Sequence, residues 1–165
     1  MGIADMLGSL MDKIPGYAGF KERAKRRETD KIQREFMAKR LTELKSNMMS
    51  IQEDFLSSGN LAIMEPFDKA GNKIDRVVER MRHANQGYTG FFDAVSINEE
   101  ELENIYRYDL SLVNGIASAE EALMAVESSV DDPAKTKMML RNFTSRIDDM
   151  DKALNERETI LKGVR

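Results

Sequence analysis

Four segments of the chain repeat apolar residues at alternating steps of three and four, the spacing of one stripe along an α-helix. The first two stripes are Met37, Leu41, Leu44, Met48, Ile51, Phe55 and Phe67, Gly71, Ile74, Val78, Met81. The third runs from Leu102 to Val130 and the fourth from Leu140 to Leu161. Such stripes are buried against other helices in coiled coils and four-helix bundles. The sequence therefore predicts an all-α fold, a single antiparallel bundle of about four helices.

Loop and capping residues divide the chain between these segments. Ser57-Ser58-Gly59-Asn60 separates the first from the second, Asn98 precedes three glutamates as a helix N-cap, and Asp132 precedes Pro133. Loops this short make sequence neighbours antiparallel. We expect a short N-terminal amphipathic helix in residues 1–14, followed by a bundle domain in residues 15–165. The predicted helices cover residues 3–13, 18–57, 61–86, 98–130 and 133–162.

The predicted second helix is longer than its partners. At 1.5 Å per residue it would span ~60 Å, against ~45–50 Å for the last two helices. Its apolar stripe begins only at Met37, and between Lys21 and Arg34 only Ile32 is clearly suited to a core. We therefore expect this helix to overhang, with about four turns projecting beyond the bundle.

Charge is distributed unevenly although the net charge is only −4. Residues 21–40 hold nine basic and four acidic side chains, whereas residues 93–132 hold eleven acidic side chains and one basic, Arg107. Such polarity indicates either an interaction surface or electrostatic pairing between helices. Phosphate contacts by the basic segment would make the protein nucleic-acid-binding. The segment lacks interleaved aromatic residues and contains acids, so nucleic acid is the alternative rather than the favoured partner.

The N-terminal helix carries its apolar residues on one face and Asp5, Ser9, Asp12 and Lys13 on the other. That apolar face consists of Ile3, Met6, Leu7, Leu10, Met11 and Ile14. It could pack on the bundle, pack on a second subunit, or make weak contact with an anionic membrane surface. Two acids on the polar face favour packing or self-association over the membrane.

No pattern in the chain indicates catalysis. The absence of cysteine excludes disulfides, Cys-ligated zinc, iron–sulfur clusters and thiol chemistry. Asp75, Glu79 and His83 share a helix face, but carboxylate-bridged metal bundles need Glu-x-x-His pairs, and there is one histidine. No phosphate-cradling loop or nucleophile motif is present. We expect no enzyme activity, no cofactor and no metal. Without a signal-like start or a long apolar run, a cytoplasmic location is the default.

Two corners of the chain are near copies, Gly16-Tyr17-Ala18-Gly19-Phe20 and Gly87-Tyr88-Thr89-Gly90-Phe91. Polar residues Asn85, Asp109 and Arg157 occupy seam positions, where they are expected to fix helix register. If both corners meet at one end of the bundle, nearby charges form one cluster that we predict to dock a protein partner. The candidate partner-binding residues are Tyr17, Phe20, Arg23, Arg26, Arg27, Asp30, Arg34, Tyr88, Phe91, Asp93 and Asp109.

These blocks resemble an uncharacterised family of small helical prokaryotic proteins. The matching pieces are Pro15-Gly16-Tyr17-Ala18-Gly19-Phe20-Lys21, Arg26-Arg27-Glu28-Thr29-Asp30-Lys31, Asp75-Arg76, Arg80, Ala84 and Gly87-Tyr88-Thr89-Gly90-Phe91-Phe92-Asp93. They cover about two thirds of the chain, and Phe20 stands where tyrosine is usual. The family has no established activity and is sometimes encoded near flotillin-like or phage-shock-type membrane-stress proteins. The resemblance implies a membrane-associated adaptor and transfers no catalytic residue.

Together these features predict a non-enzymatic interaction or scaffold protein, cytoplasmic and additionally peripheral to the inner face of a membrane. An overhanging helix and an uncovered amphipathic helix would both be satisfied by self-association, so a homo-oligomer is also expected.

Overall fold

The computed structural model describes residues 1–83 and 89–163, and within them it is all-helical, as predicted. Its α-helices are α1 (Ile3–Lys13), α2 (Arg26–Ser57), α3 (Met64–Arg82), α4 (Thr89–Asp93), α5 (Glu99–Glu127) and α6 (Pro133–Leu161). Single 3-10 turns at Arg23–Lys25 and Leu61–Ile63 lead into α2 and α3. The predicted residues 84–86 of the third helix lie outside the described ranges.

The long helices form two hairpins, α2 with α3 and α5 with α6. Within the first, Lys45 contacts Asp75 and Gln52 contacts Asp68, so that higher numbers on one helix meet lower numbers on the other. The hairpins pack with α3 along α6 and α2 along α5. Between α3 and α6, Lys73 contacts Asp148 and Arg80 contacts Asn155. Both pairs are separated by 75 residues in sequence, so the numbers rise together along the two helices and the helices are parallel. The loops after α2 and α5 therefore lie at the same end of the protein.

Side-chain caps fix where α5 and α6 begin, as the sequence predicts. The Asn98 side chain accepts a hydrogen bond from the backbone N–H of Glu101 at 2.8 Å. The Asp132 carboxylate accepts one from the N–H of Lys135 at 3.2 Å, with Pro133 in the first helical position. Each cap satisfies one of the backbone donors that a helix start leaves without a partner.

The second helix differs from the prediction at its N-terminal end. It begins at Arg26 rather than at residue 18, because residues 15–22 form an irregular loop that reverses direction at glycines with positive φ. Its N-terminal turns do not project either: Arg26, Thr29, Asp30 and Gln33 are buried. These residues continue the spacing of the stripe that starts at Met37, with polar side chains in place of apolar ones. The predicted overhang is therefore wrong.

The N-terminal helix α1 packs on α5 of the same chain. Met6, Leu10 and Ile14 are buried in the common core, and Lys13 Nζ donates to Asn114 Oδ1 at 3.2 Å on the rim. Most of the apolar face of α1 is thus covered without a second subunit, whereas Met11 is 52% exposed. No helix in the described ranges combines the length and the apolar character needed to cross a bilayer.

Candidate functional site

The two aromatic corners meet at the end of the protein where α5 begins. The ring of Phe20 packs edge-on against Phe91 with centroids 5.6 Å apart, and Tyr17 packs on Phe20 at 5.9 Å. Tyr106 of α5 lies behind both, 6.1 Å from Phe20. A shared end is the condition on which the predicted docking cluster depends, and the described part of each corner meets that condition. Tyr88 lies outside the described residues.

Glycine is required at two points of this corner. Gly19 has φ +79°, and a Cβ there would lie 2.5 Å from Tyr106 Oη, which accepts a hydrogen bond from the Phe20 N–H at 3.0 Å. A Cβ on Gly90 would lie 2.5 Å from the carbonyl oxygen of Lys162. The first glycine lets the loop approach α5, and the second lets α4 touch the backbone at the end of α6.

Arg26 ties the corner segments together through backbone carbonyls. Its Nε donates to Phe20 O at 2.8 Å, and its Nη1 donates to Phe91 O at 3.2 Å and to Ala94 O at 2.7 Å. Backbone carbonyl oxygens, rather than a carboxylate, accept the hydrogen bonds of this buried guanidinium. Arg26 therefore joins the loop 15–22, α4 and the segment that follows α4.

A buried ion-pair network, formed by Asp30, Arg34, Asp109 and Arg157, crosses the seam between the hairpins. Arg157 Nε donates to Asp109 Oδ1 at 2.6 Å, and Arg157 Nη1 lies 2.8 Å from Asp30 Oδ1. Arg34 Nε donates to Asp30 Oδ2 at 2.9 Å, and its Nη1 donates to the Met81 carbonyl at 2.9 Å. Tyr17 Oη donates to Asp109 Oδ2 at 2.6 Å. Two arginines and two aspartates make the network electrically neutral.

Burial and pairing perturb the titration of this network. Burial raises the pKa of Asp109 above its usual range, although Arg157 and the Tyr17 hydroxyl act in the opposite direction. Burial also raises the pKa of Tyr17 well above 10.0, and the neighbouring Asp109 charge adds to that shift. For Arg157, burial lowers the pKa, but Asp109 and Asp30 outweigh burial and the net shift is upward.

One polar side chain beside the network has no hydrogen-bond partner among the residues that the structure describes. Gln33 is fully buried on α2, one turn after Asp30, and neither its amide nitrogen nor its amide oxygen is bonded. The Nη2 of Arg157 is also without a hydrogen bond. Unsatisfied buried groups of this kind lower stability.

The corner is largely buried, and its expected role in docking stays a prediction. Tyr17, Phe20, Arg26, Asp30, Phe91 and Asp109 are all buried inside one chain. Arg34 is largely covered too, so these seven residues hold segments together and offer little or no surface to a partner. The exposed candidates are Arg23, Arg27 and Asp93. Arg27 Nη2 pairs with Asp93 Oδ1 at 2.9 Å, and its guanidinium stacks on the ring of Phe92.

Much of the basic segment 21–40 is engaged within the chain. Besides Arg26, Arg27 and Arg34, Arg40 donates to Glu120 at 2.6 Å and Lys25 lies 3.4 Å from Glu22. These contacts reduce the number of cations that could meet phosphates. The predicted alternative of nucleic-acid binding gains no support from this arrangement.

The Asp75, Glu79 and His83 face is used for ion pairing. Lys45 Nζ lies 2.8 Å from Asp75, and His83 Nε2 lies 3.3 Å from Glu79. Within residues 1–83 and 89–163, no three potential metal ligands come together.

The sequence patterns did not reveal an open groove of about 690 Å³ between the N-terminal halves of α3 and α6. Ile63 and Leu140 are buried residues that line it, together with the half-buried Pro66. Cations stand on both sides, one turn apart on each helix: Lys69 and Lys73 on α3, Lys137 and Arg141 on α6. A groove between parallel helices could be found only after their register was known.

The cations of this groove differ in their internal pairing. Lys73 is bound to Asp148 at 2.9 Å, and Lys69 lies 3.9 Å from Glu65 at an exposed position. No ion pair among the described residues uses Lys137 or Arg141, both of which are exposed. The groove therefore combines an apolar floor with two cations, Lys137 and Arg141, that have no counter-charge among the described residues.

Comparisons with protein-family models, with curated proteins and with solved structures find no match to this chain. The family resemblance of the corner motifs accordingly stays a prediction, and function must be argued from the geometry.

Proposed function

We propose that this chain is a non-enzymatic helical interaction protein, in which the four long helices act as one bundle. We propose further that the groove between α3 and α6 binds an acidic segment of a protein partner. The observation that carries this proposal is the pairing of an apolar floor, Ile63 and Leu140, with the unpaired cations Lys137 and Arg141.

The chemistry of the groove favours an acidic protein segment. Carboxylates would meet Lys137 and Arg141 on one side and Lys69 on the other, while apolar side chains of the segment would cover the floor. Residues 133–148 measure ~22 Å along the helix, long enough for about six residues of extended chain.

The buried corner, at the end of the bundle opposite the groove, is consistent with a preformed groove. Its charges are paired internally and its aromatic rings are packed, so it serves to fix the relative positions of α2, α5 and α6. A rigid framework keeps the groove preformed, which lowers the entropy cost of binding.

We also propose a cytoplasmic location. Contact of α1 with an anionic membrane would require α1 to leave α5, because Met6, Leu10 and Ile14 are buried there. The role at a membrane face that the family resemblance implies therefore depends on a partner rather than on α1.

A photo-crosslinking residue at Ala134, which is exposed and lines the groove, tests the proposal in the native cell. Crosslinked adducts should form at Ala134 and disappear in the double variant Lys137→Glu, Arg141→Glu. The exposed Ala117 on α5 provides the control position. The matched control variant is Lys31→Glu, Lys152→Glu, two exposed cations away from the groove. Adducts that survive reversal of the groove charges, or that form equally at Ala117, would contradict the proposal.

A further inference from the structure

We infer that the acidic segment bound by the groove is residues 94–100 of a second copy of this chain, so that copies associate head to tail. This inference rests on the proposed function of the groove and adds the identity of its occupant. The segment, Ala-Val-Ser-Ile-Asn-Glu-Glu, joins α4 to α5.

The segment 94–100 is held rigidly while its apolar tip is exposed. Arg26 donates to the carbonyl of Ala94 at 2.7 Å, and Asn98 caps α5, so both ends of the turn are fixed. Between these anchors the side chain of Val95 is 90% exposed. Single exposed apolar residues are common. Val95 differs because it stands between two anchored residues, Ala94 and Asn98, and four residues before the exposed acid Glu99.

The segment and the groove are complementary in polarity and in charge. Val95 would enter the apolar floor of Ile63 and Leu140, and Glu99 and Glu100 would face the cations of α6. Neither glutamate has an ion-pair partner among the described residues. The span from Val95 to Glu100 is about 16 Å of chain at most, which fits within the ~22 Å length of the groove wall on α6.

The two surfaces lie at opposite ends of one molecule, so a chain cannot fill its own groove. The segment 94–100 precedes α5, whereas the groove lies beside the N-terminal half of α6, which packs along the C-terminal half of α5. The 29 residues of α5 place the start of α6 ~43 Å from the segment. Where such contacts run head to tail rather than reciprocally, every pair keeps one free segment and one free groove. Further copies can then add to form a ring or an open chain of subunits.

The experiment uses two one-sided variants in sedimentation velocity at low and high salt. The groove variant carries Lys137→Glu and Arg141→Glu, and the segment variant carries Val95→Ser, Glu99→Gln and Glu100→Gln. The unmodified protein should form dimers and longer species as its concentration rises, and added salt should weaken them. Each variant alone should stay monomeric. An equimolar mixture should form dimers and nothing larger, because it contains one intact segment and one intact groove per pair.

Circular dichroism spectra and melting of both variants establish that they fold. Lys31→Glu, Lys152→Glu should associate like the unmodified protein. The inference is overturned if the unmodified protein stays monomeric, if either variant still associates alone, or if the mixture forms no dimer. If the unmodified protein is monomeric while Ala134 adducts still depend on Lys137 and Arg141, the proposed function stands and only the self-association is wrong.

Discussion

Arg157 and Asp109 form a direct ion pair on the α5–α6 seam, with 2.6 Å between Nε and Oδ1 and both residues at most 1% exposed. Removing Asp109 leaves Arg157 charged and buried with one remaining carboxylate, Asp30, among its described neighbours. We expect Asp109→Ala to lower the free energy of unfolding by ~3–5 kcal/mol, measured by urea denaturation. The exposed pair Arg107–Glu103 supplies the control, because Glu103→Ala should cost at most about 1 kcal/mol. If both variants lowered the free energy of unfolding by the same small amount, the burial of the Arg157–Asp109 pair would be contradicted.

Gln33 should be a site where an apolar substitution stabilises the protein. Its amide is buried without a hydrogen bond, so Gln33→Leu removes an unsatisfied group while keeping similar volume. We expect the free energy of unfolding to rise by ~1–2 kcal/mol. Gln33→Ala, which also opens a cavity, should instead destabilise. A destabilising Gln33→Leu would indicate that the amide has partners, such as bridging waters, that the protein atoms do not supply.

Gly19 and Gly8 form a matched pair for substitution by alanine. A Cβ on Gly19 would lie 2.5 Å from Tyr106 Oη at a positive φ, whereas a Cβ on Gly8 would meet nothing within 4 Å in an exposed helical position. We expect Gly19→Ala to lower the melting temperature and to lower the free energy of unfolding by more than about 1 kcal/mol. Gly8→Ala should raise stability by up to about 1 kcal/mol. Similar effects at both positions would contradict the described approach of the loop to α5.

Stability should fall at alkaline pH because of Tyr17. Its pKa is raised in the folded protein above the ordinary 10.0, so the folded state holds this proton more tightly than the unfolded state. The resulting stabilisation is complete below pH 10 and is lost as pH rises from there towards the folded-state pKa. Urea midpoints measured from pH 8 to pH 12 should show this fall. The Tyr17→Phe variant should be less stable at pH 8. Its stability should lack the part of the fall above pH 10 that comes from ionisation of Tyr17.

The sequence predicts the helices well where apolar residues mark the stripe and a cap marks the start. Asn98 and Pro133 allowed α5 and α6 to be placed almost to the residue. The same reasoning failed for α2, because Arg26, Asp30 and Gln33 occupy stripe positions that a search for apolar residues cannot recognise. A polar side chain is suited to a core only when its partners are known. Those of Arg26 lie on the loop 15–22, on α4 and at Ala94, and the distant partner of Asp30 is Arg157 on α6.

The candidate site was predictable only in part. A shared end of the two corners entered the sequence prediction only as a condition, under which the charges near them would form one cluster. Whether those charges face a partner or one another depends on burial, which the one-dimensional pattern does not contain. The groove could not be predicted from the sequence, because Lys69 and Lys137 come together only through the parallel register of α3 and α6.

The central claim is that the α3–α6 groove binds an acidic segment with an apolar tip. A synthetic peptide copying residues 93–102, titrated into the isotope-labelled protein, tests it most directly through backbone amide shifts. The account predicts saturable shifts in residues 61–73 and 133–148 that vanish in the Lys137→Glu, Arg141→Glu variant. Shifts confined to residues 21–40, or none at all, would contradict it.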